Sequence, residues 1–450
     1  MSFWNIFKRK IPLQTATANT ISPDIQSVLE KKPVPNINTY VSSKPVKVPV
    51  SFLQKLTPIG QQLGEEEIQQ LNIRTAFFSA GSIIFRRGTE VDSLIYLVKG
   101  TVYMEAGNGS GQEIAADTFK ALFPLSCSQF NQLTAIAKSN AIVIYVPITV
   151  LQTNRKVINP LEEQFQVSKH LKNNAFFNRF LEHFNQDELN IPSFPDVALK
   201  LRRAIQQDVA ISEVVKIINM DPVIAAKLIR IVNSPIYRTL NPITNCHNAI
   251  NRLGLTTTRN VVTAISMQNL VKSETFNIKK RIHNNWMQSV KISGISHTLA
   301  RLTRKVDPEE ALLAGLLHNI GVLPLLMFAD TLPEESYGQA DLDICIDELQ
   351  GHIGSLILEK WEFPDKFLKI PVNTSYWFEN TGTELSLTDI VLLAKFHNAL
   401  THPGNTELPI ISTLPAFQKL GNQTLTPEMS LQILQDAKQQ ISESMKFFVV

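Results

Sequence analysis

The apolar pattern of this 450-residue chain changes period once, near residue 156, and that change restricts the fold more than any other feature. From about residue 52 up to that point the apolar residues fall into short alternating runs, "SIIFRRG", "SLIYLVKGTVYMEAG" and "NAIVIYVP", punctuated by glycines and an Asn-Gly pair. Period-two alternation places every second side chain on one face of a strand, and glycine permits the turns, so the stretch predicts a small antiparallel β-roll. At its start, "GEEEIQQLNIRTAFF" predicts a short helix running into a strand. "EAGNGSGQEI" predicts a hairpin turn; no Lys-Ser or Lys-Thr follows it, so a phosphate-binding loop is not expected.

Beyond the change the chain carries helix signals. "MDPVIAAKLIRIVNS" places Asp221 as an N-cap and Pro222 at the first helical position, followed by an apolar stripe of Ile224, Leu228, Ile231 and Val232. "VDPEEALLAGLLH" repeats the device with Asp307, Pro308 and Glu310, and "LTPEMSLQILQDAKQQISESMKFF" with Thr426 and Pro427. Pro, Gly and Asn near 402–405 and 421–425 interrupt the last helices. Short helices with short connections predict a compact all-α domain. The expected organisation is a flexible segment over 1–50, a β-roll with flanking helices over 51–155, a connecting helix over 156–189, an all-α domain over 190–400 and a helical extension over 401–450.

With 43 basic and 40 acidic side chains the net charge is +3, too balanced to predict nucleic-acid binding. The stripes Lys200, Arg202, Arg203 and Lys279, Lys280, Arg281 are read as solvated helix faces. Cys127, Cys246 and Cys345 are far apart and show no zinc spacing, which favours buried thiols and a cytoplasmic setting. No apolar run is read as reaching the roughly 18 residues needed to span a bilayer. The first ten residues, "MSFWNIFKRK", could at most make weak peripheral contact with a membrane.

The stretch "AGSIIFRRGTEVDSLIYLVKGTVYM" resembles cyclic nucleotide-binding domains at Gly81, Ile84, Phe85, Gly88, Asp92, Ser93, Tyr96 and Gly100. In that family an acid holds the ribose and an arginine holds the cyclic phosphate. The resemblance places the acid near Lys120 or Ala121 and the arginine near Gln132 or Leu133, so a degenerate nucleotide cassette is expected, with at most an unknown small ligand at the roll.

The stretch "IPSFPDVALKLRRAIQQDVAISEVVKIINMDPVIAAKLIRIVNSPIYRTLNPITNCHNAINRLGLTTTRNVV" resembles HDOD domains, the HD-related output domains of bacterial signalling proteins. The marks are Pro192, Pro195, Val197, Asp221-Pro222, Leu228, Asn233-Ser234, Ala249, Leu253-Gly254 and Arg259-Asn260, and the likeness continues to about residue 400. The wider HD superfamily includes phosphohydrolases whose metal is held by a His, a His-Asp pair and a distant Asp. The resemblance places these at Gln288, at His318-Asn319 and within "LTDIVLLAKFHN", where Asp389 falls too early and His397 near the expected place; His352 is a further candidate imidazole. Too few ligands remain for a catalytic metal, and no cofactor is expected.

The resemblance therefore implies a non-catalytic signal-transduction protein, in which a degenerate sensor roll is coupled to an HDOD output domain that binds partner signalling proteins. The alternative is a divergent metal-dependent phosphohydrolase. A transcription regulator is disfavoured, since "EEQFQVSKHLKNNAFFNRFLEHFNQDELN" after the roll has no recognition-helix pattern.

Overall fold

A computed structural model describes residues 48–127, 130–148, 171, 174–185, 193–234, 237, 241–267, 270, 273, 275–333, 336–401, 408–421 and 431–445. The contacts divide the chain into two units, Met1–Ile148 and Thr149–Val450. The expected N-terminal segment, including residues 1–10, lies almost wholly outside the described residues, as do Thr426 and Pro427.

In the first unit the alternating runs form strands β1 (Arg74–Phe78), β2 (Ile83–Phe85), β3 (Ser93–Lys99), β4 (Thr101–Glu105), β5 (Gly111–Ala115), β6 (Thr134–Ala137) and β7 (Ala141–Pro147). All pairings are antiparallel, in two sheets ordered β1-β7-β3 and β2-β6-β4-β5. The predicted alternation is visible in β4, where Val102 and Met104 are fully buried between half-buried neighbours. Gly100 makes the β3–β4 turn at φ +92°, where a Cβ would also stand 2.4 Å from the Asn140 carbonyl oxygen, so only glycine fits. Tyr96 is buried, and its hydroxyl donates to the Thr57 carbonyl at 3.1 Å, tying the preceding short helices to the roll. The helix expected in "GEEEIQQ" is Glu65–Gln69.

The second unit is helical. Its described helices of eight or more residues are α1 (Ala175–Asn185), α2 (Asp196–Gln206), α3 (Ile211–Asn219), α4 (Pro222–Val232), α5 (Cys246–Leu253), α6 (Leu255–Met267), α7 (Phe276–Thr303), α8 (Pro308–Leu317), α9 (Val322–Asp330), α10 (Gln339–Lys360), α11 (Leu387–Leu400) and α12 (Lys438–Met445). Helix α1 is the described part of the expected connecting helix. Its Phe176 packs on Phe328 of α9 with ring centroids 5.5 Å apart. At the other end of the chain, α12 packs on α7: a Cβ at Gly294 would lie 2.9 Å from Met445 Cγ.

The starts follow the sequence signals. The Asp221 carboxylate accepts from the Val223 and Ile224 amides at 2.9 and 3.1 Å, and Asp307 accepts from the Glu310 amide at 2.9 Å. Helix α4 buries its stripe of Ile224, Leu228, Ile231 and Val232. Asn233 closes α4 by donating to the Ile229 and Ile243 carbonyls while accepting from the Ile243 amide at 2.8 Å. Asp221→Ala is expected to lower stability by about 1 kcal/mol, measured by urea denaturation, because two amides lose their acceptor.

Two expectations are corrected by burial. Arg202 is not on a solvated face: it is 6% exposed, lies over the Phe194 and Phe363 rings at 4.5 and 4.7 Å, and donates to the Trp361 and Glu362 carbonyls. The planar guanidinium makes this arrangement favourable, since it stacks and donates at once. An apolar stretch of bilayer-spanning length also exists, Pro308–Asp330, but it is 94% buried as the α8–α9 core of the helical unit.

Candidate functional site

Helix α7 presents Arg281, Asn284, Asn285 and Gln288 along one face, the 3–4 residue spacing that aligns side chains on a helix. Opposite them α8 ends in His318 and Asn319, α10 supplies Ile346, Asp347 and Gln350, and α11 supplies Lys395. Together with Ser375 these line a cavity of about 350 Å³. His318 and Asn319 form its buried floor, and Asn284, Gln288 and Asp347 are exposed at its rim.

The floor is fixed by hydrogen bonds. His318 Nδ1 lies 2.7 Å from the Gly315 carbonyl oxygen. A carbonyl only accepts, so Nδ1 carries the proton and Nε2 keeps a lone pair. Burial, with the Lys395 charge adding to it, pushes the His318 pKa down to about 3, so the ring is neutral. Asn319 Oδ1 accepts from the Ser289 hydroxyl at 2.7 Å, and its Nδ2 donates to Asn285 Oδ1 at 2.7 Å. Lys395 Nζ donates to the Thr374 carbonyl, and burial brings its pKa down to about 8 in spite of Asp347. Asp347 itself is raised by desolvation and then by neighbouring Asp343 and Glu348. Arg281 pairs with Asp343 and donates to Gln339 at 3.1 Å.

Of the positions singled out in the sequence, Gln288, His318 and Asn319 come together here. His352 does not: it lies on a different face of α10, in a groove with Ser355, Glu359, Lys369 and Tyr376. Neither candidate for the distant acid reaches the cavity. Asp389 is fully buried in an ion pair with Lys419 at 2.9 Å and receives the Ser386 amide at the start of α11. His397 is 8% exposed, its pKa lowered by burial and then by Lys438. The residue of α11 that enters the cavity is Lys395, which the sequence reading passed over. Arg281 was likewise read as solvated but is half-buried at the cavity wall.

This donor set does not fit a metal ion. The Asn319 carbonyl already holds a hydrogen bond, Gln288 is a neutral amide, and Lys395 sets an ammonium beside the one available imidazole. Among the described residues no three His, Cys, Asp or Glu side chains gather as a metal-binding group.

At the roll, Lys120 lies on a short turn and donates to Gln112 Oε1 at 2.8 Å, with its pKa lowered by burial. Ala121 and Leu133 are core residues, and Gln132 is exposed. Asn131 was not anticipated. It is buried, bonds the Ser126 hydroxyl, and donates to Thr89 Oγ1 at 2.8 Å, bridging two segments of the roll.

Residues 191–374 match the HDOD domain family model. A protein from Shewanella amazonensis SB2B, described as a candidate metal-dependent phosphohydrolase, superposes with a TM-score of 0.53 at 24% identity, over 62% of this chain and 100% of its own. A cyclic nucleotide-binding-like protein from Brucella abortus aligns with 23% of this chain and 93% of its own, at 18% identity and a TM-score of 0.19. An uncharacterized protein of Treponema pallidum is 24% identical over 241 residues; the match spans 50% of this chain and 41% of that protein. The helical unit thus carries the stretch that the HDOD family model matches, and residues 74–147 fold as an antiparallel β-roll.

Proposed function

We infer that this chain is a non-catalytic bacterial signal-transduction protein of the cytoplasm, in which a degenerate nucleotide-binding-like roll modulates an HDOD domain that binds partner signalling proteins. The observation that carries the reading is Lys395. A cation stands in the cavity where a phosphohydrolase would need an anionic metal ligand, beside an imidazole and two amides. A divalent ion placed there would meet a like charge and too few donors. The cassette positions of the roll support its degenerate character in the same way: Lys120 donates to Gln112, Ala121 and Leu133 are core residues, and Gln132 is exposed.

The Shewanella neighbour motivates the one test that matters most for the alternative. Purified full-length protein incubated with manganese, iron or zinc and then desalted is expected to retain substoichiometric metal. It is also expected to leave bis(p-nitrophenyl) phosphate intact. One tightly held ion per chain, lost in His318→Ala together with phosphodiesterase activity, would replace this reading with the enzymatic one. The output role predicts partner proteins recovered by the full-length chain whose recovery changes when the roll is removed.

A further inference from the structure

The geometry points to the cavity between α7, α10 and α11 as a binding site for a small oxyanion, a carboxylate or phosphoryl group, whose charge rests on Lys395. Three observations carry this. First, an ammonium has three donors, and among the described residues the Thr374 carbonyl is the hydrogen-bond acceptor given to Lys395. Second, the side-chain amides of Asn284, Gln288 and Gln350 line the same space and make no hydrogen bond among the described residues. Third, Lys395 makes no ion pair among the described residues, whereas the other lining cation, Arg281, is paired with Asp343; His318 is neutral, and the lining carboxylate, Asp347, is exposed at the rim.

The recognition chemistry follows from these groups. A charge-assisted bond from Lys395 fixes the anion, and the amides of Gln288 and Gln350 donate to its remaining oxygens. His318 Nε2, held as an acceptor by the Nδ1 bond to Gly315, receives a ligand hydroxyl or a protonated phosphoryl oxygen. A cavity of about 350 Å³ is at the small end of ligand pockets, which limits the occupant to about the size of a mononucleotide. All the lining residues belong to the helical unit, so the site adds a ligand to that unit itself.

The test is calorimetric titration of the full-length protein at pH 7 with inorganic phosphate, adenosine 5′-monophosphate and succinate in separate runs. Saturable binding of at least one probe, one per chain, is expected. Lys395→Gln should weaken it about ten-fold or more, the effect of losing one charge-assisted bond. Gln288→Ala, at an exposed position of α7, should weaken it several-fold without touching the core. Lys366→Gln, in the groove that holds His352, should leave it unchanged. Response to phosphate and the nucleotide alone assigns a phosphoryl ligand, and response to succinate alone a carboxylate. Binding that survives both Lys395→Gln and Gln288→Ala would place the anion elsewhere and overturn the proposal. So would the absence of saturable binding by all three probes. Metal uptake by the wild-type protein would defeat the non-catalytic reading without bearing on this titration, so the two failures are distinct.

Discussion

Gly321→Ala is expected to lower the stability of the helical unit by about 3 kcal/mol or more, although it adds a single methyl group. Gly321 opens α9 directly after His318, Asn319 and Ile320. Its φ of −67° is ordinary for any residue, so the requirement for glycine is one of space and not of backbone conformation. A Cβ there would stand 2.0 Å from the Gln350 carbonyl oxygen and 2.5 Å from the Gly354 amide nitrogen. Both are backbone atoms of α10, so no side-chain rotation relieves the clash, and the helices must separate. The same contact holds the His318–Asn319 floor against the helix that supplies Asp347 and Gln350, so separation also opens the cavity. Urea denaturation followed by circular dichroism measures the effect. Gly338→Ser is the comparison, since a Cβ at that exposed helix start meets nothing closer than 3.7 Å, and a change within about 0.5 kcal/mol is expected. If Gly321→Ala unfolds at the wild-type urea concentration, the close approach of α9 to α10 is not what retains glycine.

The same glycine illustrates what a sequence reveals. Period and punctuation identified the architecture: β4 alternates as expected, β3 lies in a predicted run but is buried at five successive positions, and Asp221 and Asp307 cap the helices they were expected to cap. Strand β6 was missed because "TAIA" is four residues long and half alanine, so its pairing with β2 and β4 carries the assignment and its local pattern does not. Gln288, His318 and Asn319 share a cavity, whereas His352, Asp389 and His397 do not line it. His352 lies in the other groove: Gln350 and His352 are two residues apart on a helix and so face different ways, one into each cavity. Lys395 was overlooked because in "LLAKFHN" it resembles any solvated lysine. Its meaning comes from α11 turning it toward His318, a long-range arrangement with no local signature. The stripe Arg281, Asn284, Asn285 and Gln288 was not singled out, because Lys279, Lys280 and His283 beside it are polar too and the local pattern marks no one face.

Lys395→Met is expected to stabilise the ligand-free protein by about 2 kcal/mol at pH 7, the reverse of what removing a core hydrogen bond usually does. In the fold the lysine's pKa falls from 10.5 to about 8, chiefly by desolvation, and Asp347 offsets only part of this. Between these two values the unfolded chain holds a proton that the folded chain releases. Stability therefore rises with pH across that window, and the penalty is fully present below about 8. The full shift would correspond to about 3 kcal/mol at about 1.4 kcal/mol per pH unit; partial contact of the side chain with solvent reduces it to about 2. The advantage of Lys395→Met over wild type should accordingly shrink as the pH is raised from 7 to 10. A second readout is His318, whose pKa of about 3 owes part of its depression to this ammonium. In Lys395→Met its NMR titration should move upward, while desolvation still holds it below 6.5. Destabilisation by Lys395→Met at both pH values would mean that Thr374 and Asp347 more than compensate the buried charge, so that the ammonium serves the fold. A stabilising substitution that also abolishes anion binding would have the opposite meaning. A desolvated cation retained at the centre of a cavity, against the stability of the empty protein, is what selection for a bound counter-charge leaves behind.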